Sequence, residues 1–428
     1  MKYDAAIRAR NFKYLAVAAA VAVVLTATAF FYDDILAVFG SKKGPKNLIT
    51  KAEIAKVLGG DHKYGGFPGE LDLSIKGRHE KLAVQYSFDT ALQESMEGLF
   101  RRYQPDYGAF VALDPASGRV LSMVSYTGPF GSRSVHGNLS LKATFPAASV
   151  FKVVTAAAAI AEQRFSADTL IPFTGSYHTL YKSNVLKQRI TPWTRYMSLK
   201  DAFAHSVNSV FGKIGVFTVG ANDLRQYATR FGFNRAIAAD VQVQEGRAVI
   251  SEDPWPLAES AAGFTRENTM SPLQAALIAA AVVNDGVMME PFVVSSAHRM
   301  DGDVVYQAEP VVAVNAVDAS TASEIRRLMR ETVHRGTSRG TFRGFFRGAL
   351  SWADVGGKTG SLTGHDPYGK YDWFVGFAES GGRKIAVASL SIHGRYWKVK
   401  ASYLARKAFE EFLGAGGNPA GKIGKRDG

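Results

Sequence analysis

Residues 145–163 read FPAASVFKVVTAAAAIAEQ. From Ser149 onward this segment is apolar on nearly every side, and a helix without a polar face belongs in an interior. It nevertheless carries a hydroxyl at Ser149 and an amine at Lys152, three residues on. On a helix that spacing puts both side chains on one face, about 5–6 Å apart by Cβ. Upstream, Leu92, Met96, Leu99 and Phe100 have helical spacing over 88–103, and two strand-like runs follow, Tyr107–Leu113 and Arg119–Tyr126. Asp114-Pro115-Ala116-Ser117-Gly118 between them is turn chemistry, which predicts a β-hairpin. Downstream, Ser198-Leu199-Lys200-Asp201 starts a helix in the manner of a capping box, and 271–285 and 319–334 read as two more helices. The pattern closes with strands over 355–362, 371–379 and 384–393 and a helix over 400–413. Strands at both ends with helices between them predict an α+β domain whose sheet joins the two ends of the chain.

The composition narrows the chemistry. With 428 residues, 46% of them hydrophobic, the chain can bury a large core. It has no cysteine, which excludes a disulfide scaffold, a thiolate metal site and a cysteine nucleophile. The net charge is +13. From Tyr14 to Tyr32 there are 19 residues without a charge, enough for a helix of about 28 Å, one hydrocarbon core. Lys2, Arg8, Arg10 and Lys13 precede it, and Asp33 and Asp34 follow it. That asymmetry keeps the N-terminus cytoplasmic and exports the remainder. Ala27-Thr28-Ala29 has the form of a cleavage site, but the apolar run continues through Phe30 and Phe31, which favours an uncleaved anchor. Removing 1–34 takes away four Lys/Arg and three Asp/Glu and leaves +12 outside. The spread of that charge suits an anionic surface or substrate better than nucleic acid.

Three short motifs stand in order: Ser149-Val150-Phe151-Lys152, Ser206-Val207-Asn208 and Lys358-Thr359-Gly360. Each is common alone; their joint appearance in fitting local contexts is not. The set resembles the serine penicillin-recognising enzymes, penicillin-binding proteins and serine β-lactamases. Val111-Ala112-Leu113-Asp114-Pro115 with Gly118-Arg119-Val120-Leu121 is similar to the first hairpin of penicillin-binding transpeptidase domains. The run Ser198 to His205 before Ser206, Ser271-Pro272-Leu273-Gln274, Asn284-Asp285-Gly286-Val287-Met288 and Asp372 to Phe377 extend the likeness over roughly 85–414. The resemblance implies an antiparallel central sheet flanked by helices, an all-helical subdomain, and no cofactor or metal. With the pattern above it divides the chain into a cytoplasmic tip and anchor (1–34), a short juxtamembrane stalk (35–84), a transpeptidase domain (85–414) and a disordered basic tail (415–428). The stalk is Gly- and Lys-rich and reads as linker with one short helix near Lys51–Leu58.

The resemblance also assigns roles that the residue types support. Ser149 is the nucleophile, and Lys152 is the base, which acts only when neutral, so burial and a nearby cation must lower its pKa. Lys358 supplies that cation and attracts a substrate carboxylate. Ser206 relays a proton to the leaving amine, and Asn208 holds Lys152 and a substrate amide. Thr359 offers a hydroxyl to the carboxylate, and Gly360 lets the substrate backbone lie close. By the resemblance the N–H groups of Ser149 and Ser361 form the oxyanion hole, and the strand over 355–362 offers main-chain groups to an extended peptide.

Other signals are weaker. Gly357-Lys358-Thr359 echoes a phosphate-binding loop, but Trp352 occupies the required earlier glycine position. His79-Glu80 lacks a second histidine. Arg335 to Gly348, interleaved with Phe342, Phe345 and Phe346, superficially suggests RNA binding but reads as a basic surface loop. His365 and Asp366 read as rim residues. The expected activity is a membrane-anchored serine D,D-transpeptidase acting on peptidoglycan stem peptides, with β-lactams as covalent inhibitors and cell-wall synthesis proteins as partners. Its expected place is the inner membrane, single-pass, with the catalytic domain on the periplasmic side. A D,D-carboxypeptidase, an oxacillinase-like β-lactamase and a non-catalytic sensor are the alternatives. Pro146-Ala147 before the nucleophile leans toward the β-lactamase. Asn208 at the end of the second motif, and the lack of an evident deacylating glutamate, lean away from it. Fewer than 80 residues separate Tyr32 from the hairpin, too few for a glycosyltransferase domain.

Overall fold

The structure, a computed structural model, describes residues 47–59, 67–131 and 137–414. The expected anchor over 14–32 and the tail beyond Gly414 lie outside the described residues. Among those described, no helix is long and apolar enough to cross a membrane. In chain order the elements begin with helix α1 (Lys51–Val57), held by a Thr50–Glu53 capping box, and strands β1 (Glu70–Ile75) and β2 (Arg78–Tyr86). Helix α2 (Thr90–Tyr103), N-capped by Asp89, leads into the hairpin β3 (Tyr107–Leu113) and β4 (Val120–Thr127). Helices dominate the middle: α3 (Lys152–Gln163), α4 (Leu199–Ala204), α5 (Asn208–Ile214), α6 (Gly220–Arg230), α7 (Pro254–Ala262) and α8 (Pro272–Val283). Strands β5 (Val294–Arg299) and β6 (Val304–Gln307) and helix α9 (Ala319–His334) follow. Three long strands, β7 (Asp354–His365), β8 (Tyr368–Ser380) and β9 (Arg383–His393), precede the last helix, α10 (Ala401–Gly414).

The central sheet has the order β7-β8-β9-β3-β4 and is antiparallel throughout. Successive side chains of a strand point to opposite faces, and both faces here are covered. Phe110, Ala112, Phe374 and Ala378 pack into one cluster with Leu92 and Phe100 of α2 and Leu404 and Phe409 of α10. Ala109, Val111, Trp373, Val375 and Phe377 belong to the larger core that holds α8, α9 and the helical middle. This is the expected α+β arrangement, with β9 joining the late strands to the early hairpin. Burial on both faces is why β3 reads as an unbroken apolar run rather than an alternating one.

The region before the domain holds more structure than the linker reading gave it. Besides the short helix, β1 and β2 build a second sheet of order β1-β2-β5-β6. Leu71, Leu73 and Ile75 alternate inward along β1. The pairing of β2 with β5 joins segments separated by some two hundred residues, which no local pattern reports. The short glycine-rich stretch before β1 obscures the alternation.

Candidate active site

Ser149 sits in a single 3₁₀ turn, Ala148–Phe151, and α3 begins at Lys152. The sequence reading had placed it as the first residue of the helix itself. The preceding segment is fixed from two sides. Phe145 and Pro146 pair with Met270 and Thr269, and the indole of Trp373 on β8 donates to the Pro146 carbonyl at 3.0 Å. Ala148 has φ of 48°, a conformation uncommon for residues other than glycine. Ser206 likewise has φ of 56°. Two strained residues thus flank one cleft, the kind of place where such strain concentrates. Gly263, at φ of 61°, follows α7, and a Cβ there would lie 2.0 Å from the Ala148 carbonyl oxygen.

The amine of Lys152 is the hub. Its Nζ lies 2.9 Å from Ser149 Oγ and 2.8 Å from Asn208 Oδ1, and it donates to the Ala262 carbonyl at the end of α7. Lys152 and Lys358 are both 0% exposed. Lys358, on β7, donates to Ser206 Oγ at 3.0 Å and to the Thr359 carbonyl at 3.0 Å. Burial, reinforced by the charge on Lys358, holds the Lys152 amine well below its ordinary value. Burial alone brings Lys358 down to about 7. Each ammonium also has an aromatic face near it, Phe211 at 5.6 Å from Lys152 and Phe203 at 5.4 Å from Lys358.

The three motifs therefore converge on one cleft. Two details differ. Asn208 is 5% exposed and its Nδ2 donates to the His178 carbonyl at 2.9 Å, so the amide is anchored in the protein. A Cβ on Gly360 would meet Val150 Cγ2 at 3.2 Å and the Ala147 carbonyl at 3.3 Å. The close approach that Gly360 permits is that of the nucleophile turn to β7. Ser361 is exposed on β7, which forms the edge of the sheet and so leaves one side open to an added strand.

Sequence reading missed three contributors. The Ala262 carbonyl is a backbone group and has no letter of its own. Thr337, on the loop after α9, brings its hydroxyl within 2.6 Å of the Thr359 hydroxyl, giving the cleft a pair of hydroxyls. Trp373 was noted for its likeness but not for its hold on Pro146. Two aromatics of the basic loop point inward: Phe342 and Phe345 are each 2% exposed and pack with Phe374. They are core residues and offer no face for a base to stack on.

A neutral lysine amine has two hydrogens and one lone pair. Asn208 Oδ1 and the Ala262 carbonyl oxygen accept the two hydrogens, which leaves the lone pair for the Ser149 hydroxyl. The arrangement can therefore deprotonate that serine.

Residues 108–413 match the family model of the penicillin binding protein transpeptidase domain. The peptidoglycan D,D-transpeptidase PbpA of Mycolicibacterium smegmatis is 28% identical over 356 residues, 75% of this chain and 67% of its own length. Among solved structures, penicillin-binding protein A of Mycobacterium tuberculosis, as its ceftriaxone acyl-enzyme complex, superposes with a TM-score of 0.61 at 25% identity. That alignment covers 77% of this chain and 79% of the other. A D,D-transpeptidase domain from Eggerthella lenta shares the fold with a TM-score of 0.64 at 23% identity, over 84% of this chain and 98% of that one.

Proposed function

The chain belongs to the penicillin-binding protein transpeptidase family of serine acyltransferases, and from that premise we propose that it is a D,D-transpeptidase working through a Ser149 acyl-enzyme on peptidoglycan stem peptides. The observation that carries the reading is the buried Lys152 amine, its pKa lowered by burial and by Lys358, held at 2.9 Å from Ser149 Oγ by Asn208 and the Ala262 carbonyl. The Ser149 proton passes to Lys152 as Oγ attacks the carbonyl of the penultimate residue. A C–O bond forms, and the oxyanion is held by the N–H groups of Ser149 and Ser361. The C–N bond then breaks, and the leaving amine takes a proton from Ser206, which is replenished from Lys152. Ser206 Oγ accepts from Lys358, so its own hydrogen is free to move to that amine. Lys358, Thr359 and Thr337 hold the terminal carboxylate, and an acceptor amine reverses the sequence to make the cross-link.

β-Lactams, which mimic this bond, would acylate the same serine. No carboxylate among the described residues hydrogen-bonds Ser149 Oγ or Lys152 Nζ. That favours a long-lived acyl-enzyme over rapid hydrolysis. The charge asymmetry around 14–32 supports a single membrane anchor with the domain outside, at the inner membrane and in reach of the wall and its synthesis proteins. Timed labelling with a fluorescent penicillin, followed by chase, tests the chemistry. Label is expected on wild type, persisting for many minutes, and absent from Ser149→Ala. Labelled Ser149→Ala sinks the nucleophile, whereas label lost within seconds makes the protein a β-lactamase.

A further inference from the structure

A cavity of about 270 Å³ opens among the helices, and none of its lining residues belongs to the cleft described above. Leu170, Ile171, Pro172, Ile214 and Phe217 make its apolar wall. Leu170 and Phe217 are 65% and 39% exposed, so the apolar wall is open to an occupant. The single charged residue lining it is Lys213, near the end of α5 opposite Asn208.

Three lysines are buried among the described residues, and two of them, Lys152 and Lys358, are bonded within the cleft. Lys213 is the third, 8% exposed, and among the described residues its amine has no hydrogen bond, ion pair or aromatic face as partner. The stem of Lys213 is buried while its amine opens on the cavity, and a cation without a counter-charge on an apolar wall attracts an anion. Burial alone pulls its pKa down, with no neighbouring charge contributing. A volume of this size holds several non-hydrogen atoms beyond a lone water.

We propose that this cavity binds an amphiphilic carboxylate, its anionic head on Lys213 and its apolar body along the wall from Leu170 to Phe217. The head supplies the counter-charge that the protein lacks, and the body covers the exposed leucine and phenylalanine. Such a head occurs on a medium-chain fatty acid and on the free C-terminus of a short apolar peptide. The proposal does not depend on the acyl-transfer reading, because its test measures binding alone.

Calorimetric titration with octanoate, octanol and acetate, on the whole protein carrying Ser149→Ala, provides that test. Octanoate is expected to bind at least tenfold more tightly than either octanol, which lacks the charge, or acetate, which lacks the body. Lys213→Met should remove the preference for octanoate over octanol, and Lys213→Arg should keep most of it. Because Lys358 is intact in both variants, octanoate binding that survives Lys213→Met would place the carboxylate elsewhere and overturn the proposal. Equal binding of octanoate and octanol to the unmutated cavity would overturn it as well. If Lys213→Met fails to fold, loss of octanoate binding in Leu170→Asp, an exposed wall position, decides the matter in its place. A capped apolar tripeptide with a free C-terminus identifies the source: tighter binding than octanoate names a peptide end, weaker binding a fatty acid.

Discussion

Lys152 and Lys358 are both buried in one cleft, and the charge of Lys358 acts on Lys152. The positive charge of Lys358 helps strip the proton from Lys152, so the catalytic form has Lys152 neutral and Lys358 charged. Acylation by a carboxylate-bearing β-lactam should rise with pH as Lys152 loses its proton, then fall as Lys358 loses its own through about 7. Stopped-flow acylation rates across pH 5–10 check this. In Lys358→Arg the descending limb should vanish, since a guanidinium stays charged. The sign for stability is opposite. Lys358 has a folded-state pKa depressed below 10.5, so the folded protein binds fewer protons than the unfolded chain between the two values. Stability therefore rises with pH from about 7 toward 10 on its account. Lys358→Met should melt higher than wild type at pH 6, with the gap narrowing toward pH 10. Ala148 offers a different test, because its φ of 48° is one that glycine adopts freely. Relief of that strain and loss of a buried methyl are each worth about 1 kcal/mol with opposite signs. Ala148→Gly should thus change the free energy of unfolding by under about 0.5 kcal/mol, read by urea denaturation. The side chains of the site were legible as three spaced motifs. The Ala262 carbonyl and the strained φ angles were not, because they are properties of the backbone path.

At the level of elements, β7 does two things at once: its Lys358 faces the cleft while its Gly360 lets the nucleophile turn pack against it. Gly360→Ala would press a methyl on Val150 and the Ala147 carbonyl, forcing strand and turn apart by a few tenths of an ångström. The penicillin acylation rate should fall by about 10²-fold, as a misplaced reacting group does, with only a small change in melting temperature. The helix over 319–334 could be read from periodicity because it buries one face only, and the strands of the central sheet from their long apolar runs. The β1–β2 pair could not be placed by the same means. Its partner strand β5 lies far along the chain, and only the three inward positions Leu71, Leu73 and Ile75 mark β1.

For the molecule as a whole, two clusters cover opposite faces of the sheet, and a charged network ties α9 to β7 and β8 at one corner. Arg326 and Arg330 of α9 reach Asp354 at the start of β7, at 2.6 and 2.7 Å, and Arg326 also reaches Glu379 on β8. Burial would raise the Asp354 pKa, but the hydrogen bond from Arg330 and the charge of Arg326 bring it below its ordinary value. That contribution is present above the ordinary aspartate value and lost as pH falls through the lowered one. Asp354→Ala leaves Arg330 without a counter-charge and Arg326 with Glu379 alone, and should destabilise by about 2 kcal/mol at pH 7, the site being partly solvated. Urea unfolding measures it. The central sheet has one further consequence, for synthesis rather than for chemistry. Since β9 lies between β8 and β3, the early hairpin waits with a bare hydrogen-bonding edge until nearly the whole domain has left the ribosome. Until then β3 exposes an unpaired strand edge, the kind of surface through which an incomplete chain pairs with the wrong neighbour.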